Sequence, residues 1–371
     1  MRSTYASISL ASIRHNIELI RSRLKPETKY LAVVKANAYG HGMEAVANCA
    51  LESGAAYLGV AFAEEGVRLR LAGITAPILL LGATEEDHMD DVIRHDLMPT
   101  VFTVEALQLL QTHAAKLAMT CRIHIKADTG MNRIGFTSEA AFTEAILLLK
   151  RSPNLMLDGL FTHFAVSELE DTSFTLQQAE HFRRYVEIAR QNGLHPLLHA
   201  SNSAAALHIP EAQFDMVRGG IAMYGCHPAG HAVAGIDLHP VLSWHTYLTH
   251  IKTIPAGEGV SYGLKFITPC DMLVGTVAVG YGDGYKRCLS GRAAVLVRGH
   301  RAHQIGTICM DQMMVDLTNI PDAAVGDDVV LLGSQGKESI TADELAEKAD
   351  TISYEILLSI SERVPRVYTK D

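Results

Sequence analysis

Eight short aliphatic runs recur between residues 28 and 225, and most are separated by stretches of helical periodicity. They are YLAVVKA, AAYLGVAF, APILLLGA, LMPTVF, CRIHIKAD, LDGLFTHF, PLLHASN and DMVRGGIAMYG. Near-continuous apolar runs of this kind bury both faces of a strand, and helices between them return the chain across the sheet, so the strands run parallel. Eight such units in about 200 residues fit an α/β fold, a (β/α)8 barrel of the TIM type. A doubly wound open sheet shares the local pattern, because counting strands does not show closure. AEEGVRLRLAG, TVEALQLLQTHAAK and SEAAFTEAILLLKRS are predicted helices. So is SIRHNIELIRSRL, with Ile13, Ile17, Ile20 and Leu24 as its apolar positions.

After about residue 230 the rhythm changes. HAVAGIDLHPVLSWHTYLTHIKTI, DMLVGTVAVGYGDGY, RAAVLVRGHRAHQIGTICMDQMMVDL and VGDDVVLLG are strand-like, closely spaced and broken by Gly, Pro and Asp, which predicts a mostly antiparallel β domain. TADELAEKAD near the end is compatible with a helix. The expected division is 1–229 for the barrel and 230–371 for the β domain. The alternating TYASISL, within about residues 1–10, is expected to pair with the C-terminal part.

At 371 residues and 48% hydrophobic the chain can bury a large core in two domains. A net charge of −9 leaves no basic footprint for nucleic acid or an anionic membrane, so small molecules are the expected partners. No run approaches the length of a membrane span, and MRSTYASISLASIRHN holds no signal-like apolar stretch, so a cytoplasmic location is the default expectation. The six cysteines form no CxxC pair and are read as reduced thiols. Eighteen histidines show no HExxH spacing, and no metal site is expected.

The expected strand ends are unusually polar. Strand one ends in Lys35, Asn37 and Tyr39; strand five in Lys126, Asp128 and Arg133; strand six in His163; strand seven in Asn202 and Ser203; strand eight in Arg218, Gly219 and Gly220. In a barrel these ends share one mouth, so residues far apart in sequence would meet in one site. A lysine in such a partly dry place loses some of its charge preference and becomes an amine nucleophile.

Nine blocks in fixed order, AVVKANAYGHG, IKADTGMNRIGF, LFTHFA, HASNSAA, VRGGIAMYG, VSYGLKF, VGYGDGY, CMDQMMVDL and ISYEI with RVPRVY, span residues 32 to 368. In these the chain resembles the alanine racemase family of fold-type III pyridoxal phosphate enzymes. The resemblance implies that Lys35 forms a Schiff base with pyridoxal 5′-phosphate. It implies that Tyr39, Ser203, the backbone of Gly220 and Ile221, and Tyr354 contact the phosphate, with Asn202 supporting. Arg218 would face the pyridine nitrogen, and His163 with Arg218 would form the polar chain behind Tyr262.

Inverting a stereocentre needs a proton removed from one face and delivered to the other, and the resemblance supplies Lys35 and Tyr262 as the two acid–base groups. It places Tyr262 in the other subunit of a homodimer, along with Met310 and Asp311 near the substrate carboxylate. Arg133 would engage that carboxylate, and Lys126 matches a lysine that many members carry carbamylated. Tyr281 matches a residue of the entrance passage, where this chain has Gly282 in place of the commoner alanine. The implied activity is interconversion of L- and D-alanine, feeding D-alanine to peptidoglycan. The alternatives are a serine or broader-range racemase of the same fold, a basic amino-acid decarboxylase, and a barrel-only cofactor-carrying protein. The last would lack Tyr262 and the second domain.

Overall fold

The computed structural model describes residues 3–370. After β1 (Tyr5–Ser9) come β2 (Lys29–Val33), β3 (Tyr57–Val60), β4 (Ile78–Leu80), β5 (Leu97–Met98), β6 (Thr100–Val101), β7 (Cys121–Lys126), β8 (Leu155–Phe161), β9 (Leu197–His199) and β10 (Met216–Gly219). The last nine pair in parallel in the order β5-β4-β3-β2-β10-β9-β8-β7-β6. The run LMPTVF is not one strand. It splits around Pro99, which has no N–H to give a ladder, while the Pro99 carbonyl accepts the His124 N–H at 3.1 Å. Since β5 pairs with β4 and β6 with β7, this single interrupted run spans the gap and closes the cylinder. The open-sheet alternative is thereby excluded.

Helices alternate with the strands as the periodicity requires. Thr103 and Ser138 cap Val104–Leu117 and Glu139–Leu149 by accepting N–H groups three residues on. The first helix, Leu10–Ser22, is capped by Ser9 and buries Ile13, Ile17 and Ile20. It stops short of Leu24, which lies beyond the helix and is only partly buried against the same core.

The C-terminal part comprises β11 (Leu242–Ile254), β12 (Gly259–Val260), β13 (Phe266–Ile267), β14 (Met272–Val277), β15 (Ala294–Val297), β16 (His300–Ile305), β17 (Met313–Asp316), β18 (Asp328–Gln335), β19 (Glu338–Ile340) and β20 (Arg366–Thr369). Its sheet order is β19-β18-β15-β16-β17-β14-β11-β1-β20, and β18 also pairs with β11, which curls six strands into a second closed ring. Every neighbour pair is antiparallel except β1–β20. The strand β1 is a member of this sheet, with Tyr5 opposite His245 and Ile8 opposite Leu242. Helix Ala342–Lys348, capped by Thr341, falls on TADELAEKAD. Among the described residues no helix is long and apolar enough to cross a membrane, and all six cysteines are free thiols.

Candidate active site

Lys35, separated from the end of β2 by Val34 alone, opens a turn that L-residues rarely adopt. Ala36, Asn37, Ala38 and Tyr39 all have φ between 52° and 54°, a left-handed helical turn costing roughly 1–2 kcal/mol per residue. Side chains from elsewhere hold it. The Glu65 carboxylate accepts the N–H groups of Ala36 and Ala61, Asn37 Oδ1 accepts from Met43 N–H at 3.0 Å, and Arg366 Nε donates to the Gly40 carbonyl at 2.9 Å. Gly40 closes the turn at φ 83°, where a Cβ would lie 2.9 Å from the Leu357 carbonyl. The turn aims Lys35 and Tyr39 into the barrel mouth together. Ala36 is the exposed member of this strained run, and Ala36→Gly is expected to stabilise the protein by roughly 0.5–1 kcal/mol, read as a raised thermal midpoint.

The mouth holds a cavity of about 760 Å³ whose lining includes Lys35, Tyr39, Lys126, Arg133, His163, Asn202, Ser203, Arg218, Gly220, Ile221 and Tyr354. The convergence expected from the strand ends is therefore present for these residues. Three members of the pattern have other duties. Asn37 ties the turn, Asp128 accepts the backbone N–H groups of Gly130, Asn132 and Arg133, and Gly219 leaves room for the Tyr30 hydroxyl, 1.8 Å from where its Cβ would be.

One wall is a cradle of hydroxyls and backbone donors. Ser203 Oγ accepts from Gly220 N–H at 2.9 Å and Ala222 N–H at 3.3 Å. A Cβ on Gly220 would sit 3.1 Å from the Tyr39 hydroxyl and 3.6 Å from Ser203 Oγ, filling the cradle. Tyr354 closes it, with its ring 5.9 Å from that of Tyr39. Burial pushes the Tyr39 phenol up to about 12, so it is a neutral donor here.

Other parts of the lining are cationic. Burial, then the charge of Arg133, lowers the Lys35 amine, and Glu65 partly opposes this. The same two causes, with Arg218 next, bring Lys126 down to about 7. The Phe161 ring is close to two cations, 5.5 Å from Lys126 Nζ and 5.4 Å from the Arg218 guanidinium. Burial lowers Arg218 to about 9, so it remains a cation at neutral pH. Its Nη2 lies 2.6, 2.9 and 2.8 Å from the Ala200 and Thr162 carbonyls and His163 Nδ1, three acceptors that share its two N–H groups. A guanidinium only donates, so His163 Nδ1 must be the lone pair and its proton is on Nε2.

The remaining candidates lie outside this cavity. Tyr262 is 73% exposed at the tip of the β12–β13 hairpin, where Ser261 and Leu264 also have positive φ. Ser261 Oγ donates to the Thr307 carbonyl and Thr307 Oγ1 to that of Tyr262, pinning the tip to the CMDQ loop region. Tyr262 lines a separate cavity with Cys309 and Met314. Met310, Asp311 and Tyr281 cluster through backbone bonds from Tyr281 to Cys309 and from Gly282 to Met310, and Asp311 pairs with Arg363 at 2.7 Å. Gly282 leaves space for that arginine, whose Nη1 lies 2.3 Å from where a Cβ would be.

Reasoning from strand ends passed over Glu65, which supports the lysine turn, and the buried His124, Asp158 and His199 beneath Arg218. Period-2 alternation was the available signal, since His124 lies two residues before Lys126 on the same inward face. One surface group, the half-buried His15 with the exposed Asp237 and His239, brings potential ligand atoms within 4.8 Å of one another. His15 Nε2 there already contacts the Asp237 carbonyl at 2.8 Å.

A desolvated lysine and a cradle of hydroxyls and backbone N–H groups share the mouth of a (β/α)8 barrel with a closed β sheet appended, the architecture of a two-domain barrel enzyme. Sequence profiles for the N-terminal and C-terminal domains of alanine racemase match residues 8–228 and 241–368. The chain belongs to the alanine racemase family. It is 43% identical to the alanine racemase of Halothermothrix orenii over 99% of this chain and 97% of that one. The crystal structure of alanine racemase from Bacillus anthracis with bound L-Ala-P superposes with a TM-score of 0.94 at 38% identity, covering 100% of this chain and 96% of that one. A histidine racemase from Leuconostoc mesenteroides matches at 0.91 with 28% identity over 100% and 98% of the two chains, so the fold alone does not choose the substrate.

Proposed function

We propose that this chain interconverts L- and D-alanine with pyridoxal 5′-phosphate in the barrel mouth, as a homodimer whose second copy lends Tyr262. The carrying observation is the desolvated Lys35 amine sharing one cavity with the Ser203, Gly220, Tyr39 and Tyr354 cradle. The donor set fits the group. Backbone N–H groups and neutral hydroxyls suit a phosphate, an amine suits an aldehyde, and the cavity has the volume of an ordinary cofactor site.

When bound, the cofactor supplies an electron sink for the substrate α-carbon. The protein's share is orientation and proton handling. Arg218 would face the ring nitrogen of the bound group as a donor and, as a guanidinium, would keep its own proton. Lys35 holds or takes the proton on one face, and Tyr262 serves the other, close to His163 Nε2–H. Arg133 binds the substrate carboxylate with its planar fork, and Met310 and Asp311 close the opposite side from the second copy. Residues 1–229 carry most of the groups that hold the cofactor, Tyr354 of the same chain completes them, and the rest of 230–371 carries what is lent across.

The exposed apolar residues near Tyr262 support this assembly: Leu264 is 60%, Met310 53% and Ile267 53% exposed. Sedimentation is expected to give a dimer. A Lys126 amine near pKa 7 beside Arg133 is neutral often enough at neutral pH to capture carbon dioxide. Its carbamate would then balance Arg133. The intact mass at mildly alkaline pH in bicarbonate is expected to show one added CO2, absent in Lys126→Ala.

The direct test is D-alanine formation from L-alanine by purified protein supplied with the cofactor. Turnover of L-serine, compared on the same preparation, decides the alternative reading. We expect kcat/KM for alanine to exceed that for serine by about 10- to 100-fold, the range over which a small apolar pocket resists an added hydroxyl. The product is a precursor for bacterial peptidoglycan, made in the cytoplasm.

A further inference from the structure

Beneath the cavity floor a line of buried polar groups runs down the barrel axis. Arg218 Nη1 lies 2.8 Å from His199 Nδ1, His199 Nε2 lies 2.9 Å from His124 Nδ1, and His124 Nε2 lies 3.1 Å from Asp158 Oδ2. The Tyr57 hydroxyl, at the start of β3, donates to the same carboxylate oxygen at 3.2 Å. Both histidines are fully buried and Arg218 is 3% exposed. Among the described residues no carboxylate forms an ion pair with Arg218 directly, so Asp158 is the anion at the end of its hydrogen-bond line.

Two backbone features build this line. Ile123 pairs with Leu157 but His124 pairs with Gly159, so Asp158 is the extra residue of a bulge in the β7–β8 ladder. Bulges of this kind re-aim a side chain. Gly159 in turn has no side chain where one would collide, since a Cβ there would lie 2.2 Å from His124 Nδ1.

The chemistry of the two ends leaves one arrangement of protons. Arg218 can only donate, so His199 Nδ1 is a lone pair and His199 carries its proton on Nε2. That proton points at His124 Nδ1, which must accept, so His124 is protonated on Nε2 and donates to Asp158. Reversing either ring would set two N–H groups or two lone pairs against each other. Second protons are disfavoured. Burial, then Arg218, then His124, His163 and Lys126, hold His199 well below its ordinary value. Burial lowers His124 despite Asp158, and the His124 hydrogen bond in particular keeps Asp158 acidic.

We propose that Asp158, with Tyr57, acts through His124 and His199 as the positioning anchor of Arg218, fixing both imidazole tautomers and holding the guanidinium aimed at the cavity. These are positioning residues, not catalytic ones. The effect on turnover rests on the racemase reading; the tautomers do not.

The test combines 15N NMR of protein labelled at histidine, with and without cofactor, and kinetics of two variants at one position. Between about pH 6 and pH 9 both His124 and His199 are expected to be neutral with the proton on Nε2. Asp158→Leu removes the acceptor of the His124 Nε2 proton and should give mixed tautomers at His124, the ring that loses its partner, and a kcat lowered roughly 10-fold or more, with KM for alanine changed less than about twofold. Asp158→Asn keeps an acceptor oxygen and should restore both. A His199 protonated on Nδ1 in the parent protein overturns the proposal, even if Asp158→Leu does not fold. So does an Asp158→Leu protein with parental tautomers and parental kcat. Expected tautomers in a protein that makes no D-alanine would leave the anchor standing and sink the racemase reading.

Discussion

Lys35→Ala is expected to lower D-alanine formation by about 10⁴-fold or more, because on the proposed reading one side chain both holds the cofactor and moves a proton on one face of the substrate. Lys35 opens the left-handed turn at the barrel mouth. The other lysine of the cavity lining, Lys126, holds its amine over the Phe161 ring. Borohydride treatment of the parent holoprotein should fix the cofactor's mass on the peptide carrying Lys35, and the variant should show no such adduct. Parental turnover in the variant, or an adduct mapped to Lys126, would remove Lys35 from its role. The cradle of Ser203 and Gly220 is untouched by this change, so weak cofactor binding without turnover is the expected residual behaviour.

Tyr262→Phe is expected to cost 10²- to 10⁴-fold in racemisation, the usual worth of one acid–base group. The loss should be lopsided. Lys35 still serves its own face, so in deuterated water one enantiomer of alanine should keep exchanging its α-hydrogen without inverting, while the other stops. Equal exchange of both enantiomers at the parental rate would mean that Tyr262 is not the second base. Mixing the two dead variants tests the composite site. After subunit exchange half the dimers are mixed, and each mixed dimer owns one intact site and one doubly defective site, so about a quarter of parental activity should return. No recovery would argue that each site draws Lys35 and Tyr262 from one chain. That is hard to reconcile with a Tyr262 lining a separate cavity from Lys35.

Much of the site was legible because its residues stand at the ends of strongly periodic strands. His163, Ser203, Arg218 and Gly220 each follow an aliphatic run, and closure of the barrel brings them to one mouth. Asn37, Asp128 and Gly219 show the limit of that rule. They occupy strand ends, yet their side chains or lack of one serve the backbone of the loops themselves. The Asp158 bulge was invisible for another reason. A one-residue slip in a ladder leaves no mark on apolar periodicity, and only the pairing of Ile123 with Leu157 and of His124 with Gly159 reveals it.

Local periodicity, which each segment carries in its own residues, was enough to determine parallel β/α units followed by antiparallel strands, and the order of the motifs was enough to place the family. Pairing between distant segments decided the rest. The barrel closes because β5 and β6, either side of Pro99, reach different neighbours. The lysine turn holds its left-handed shape because Glu65 and Arg366 bond to its backbone. Tyr262 lies away from Lys35 within one chain because its hairpin is anchored to the CMDQ side of the second ring. Each of these depends on which residues meet across the fold, a quantity set by the summed packing of the whole molecule and by no stretch of sequence alone.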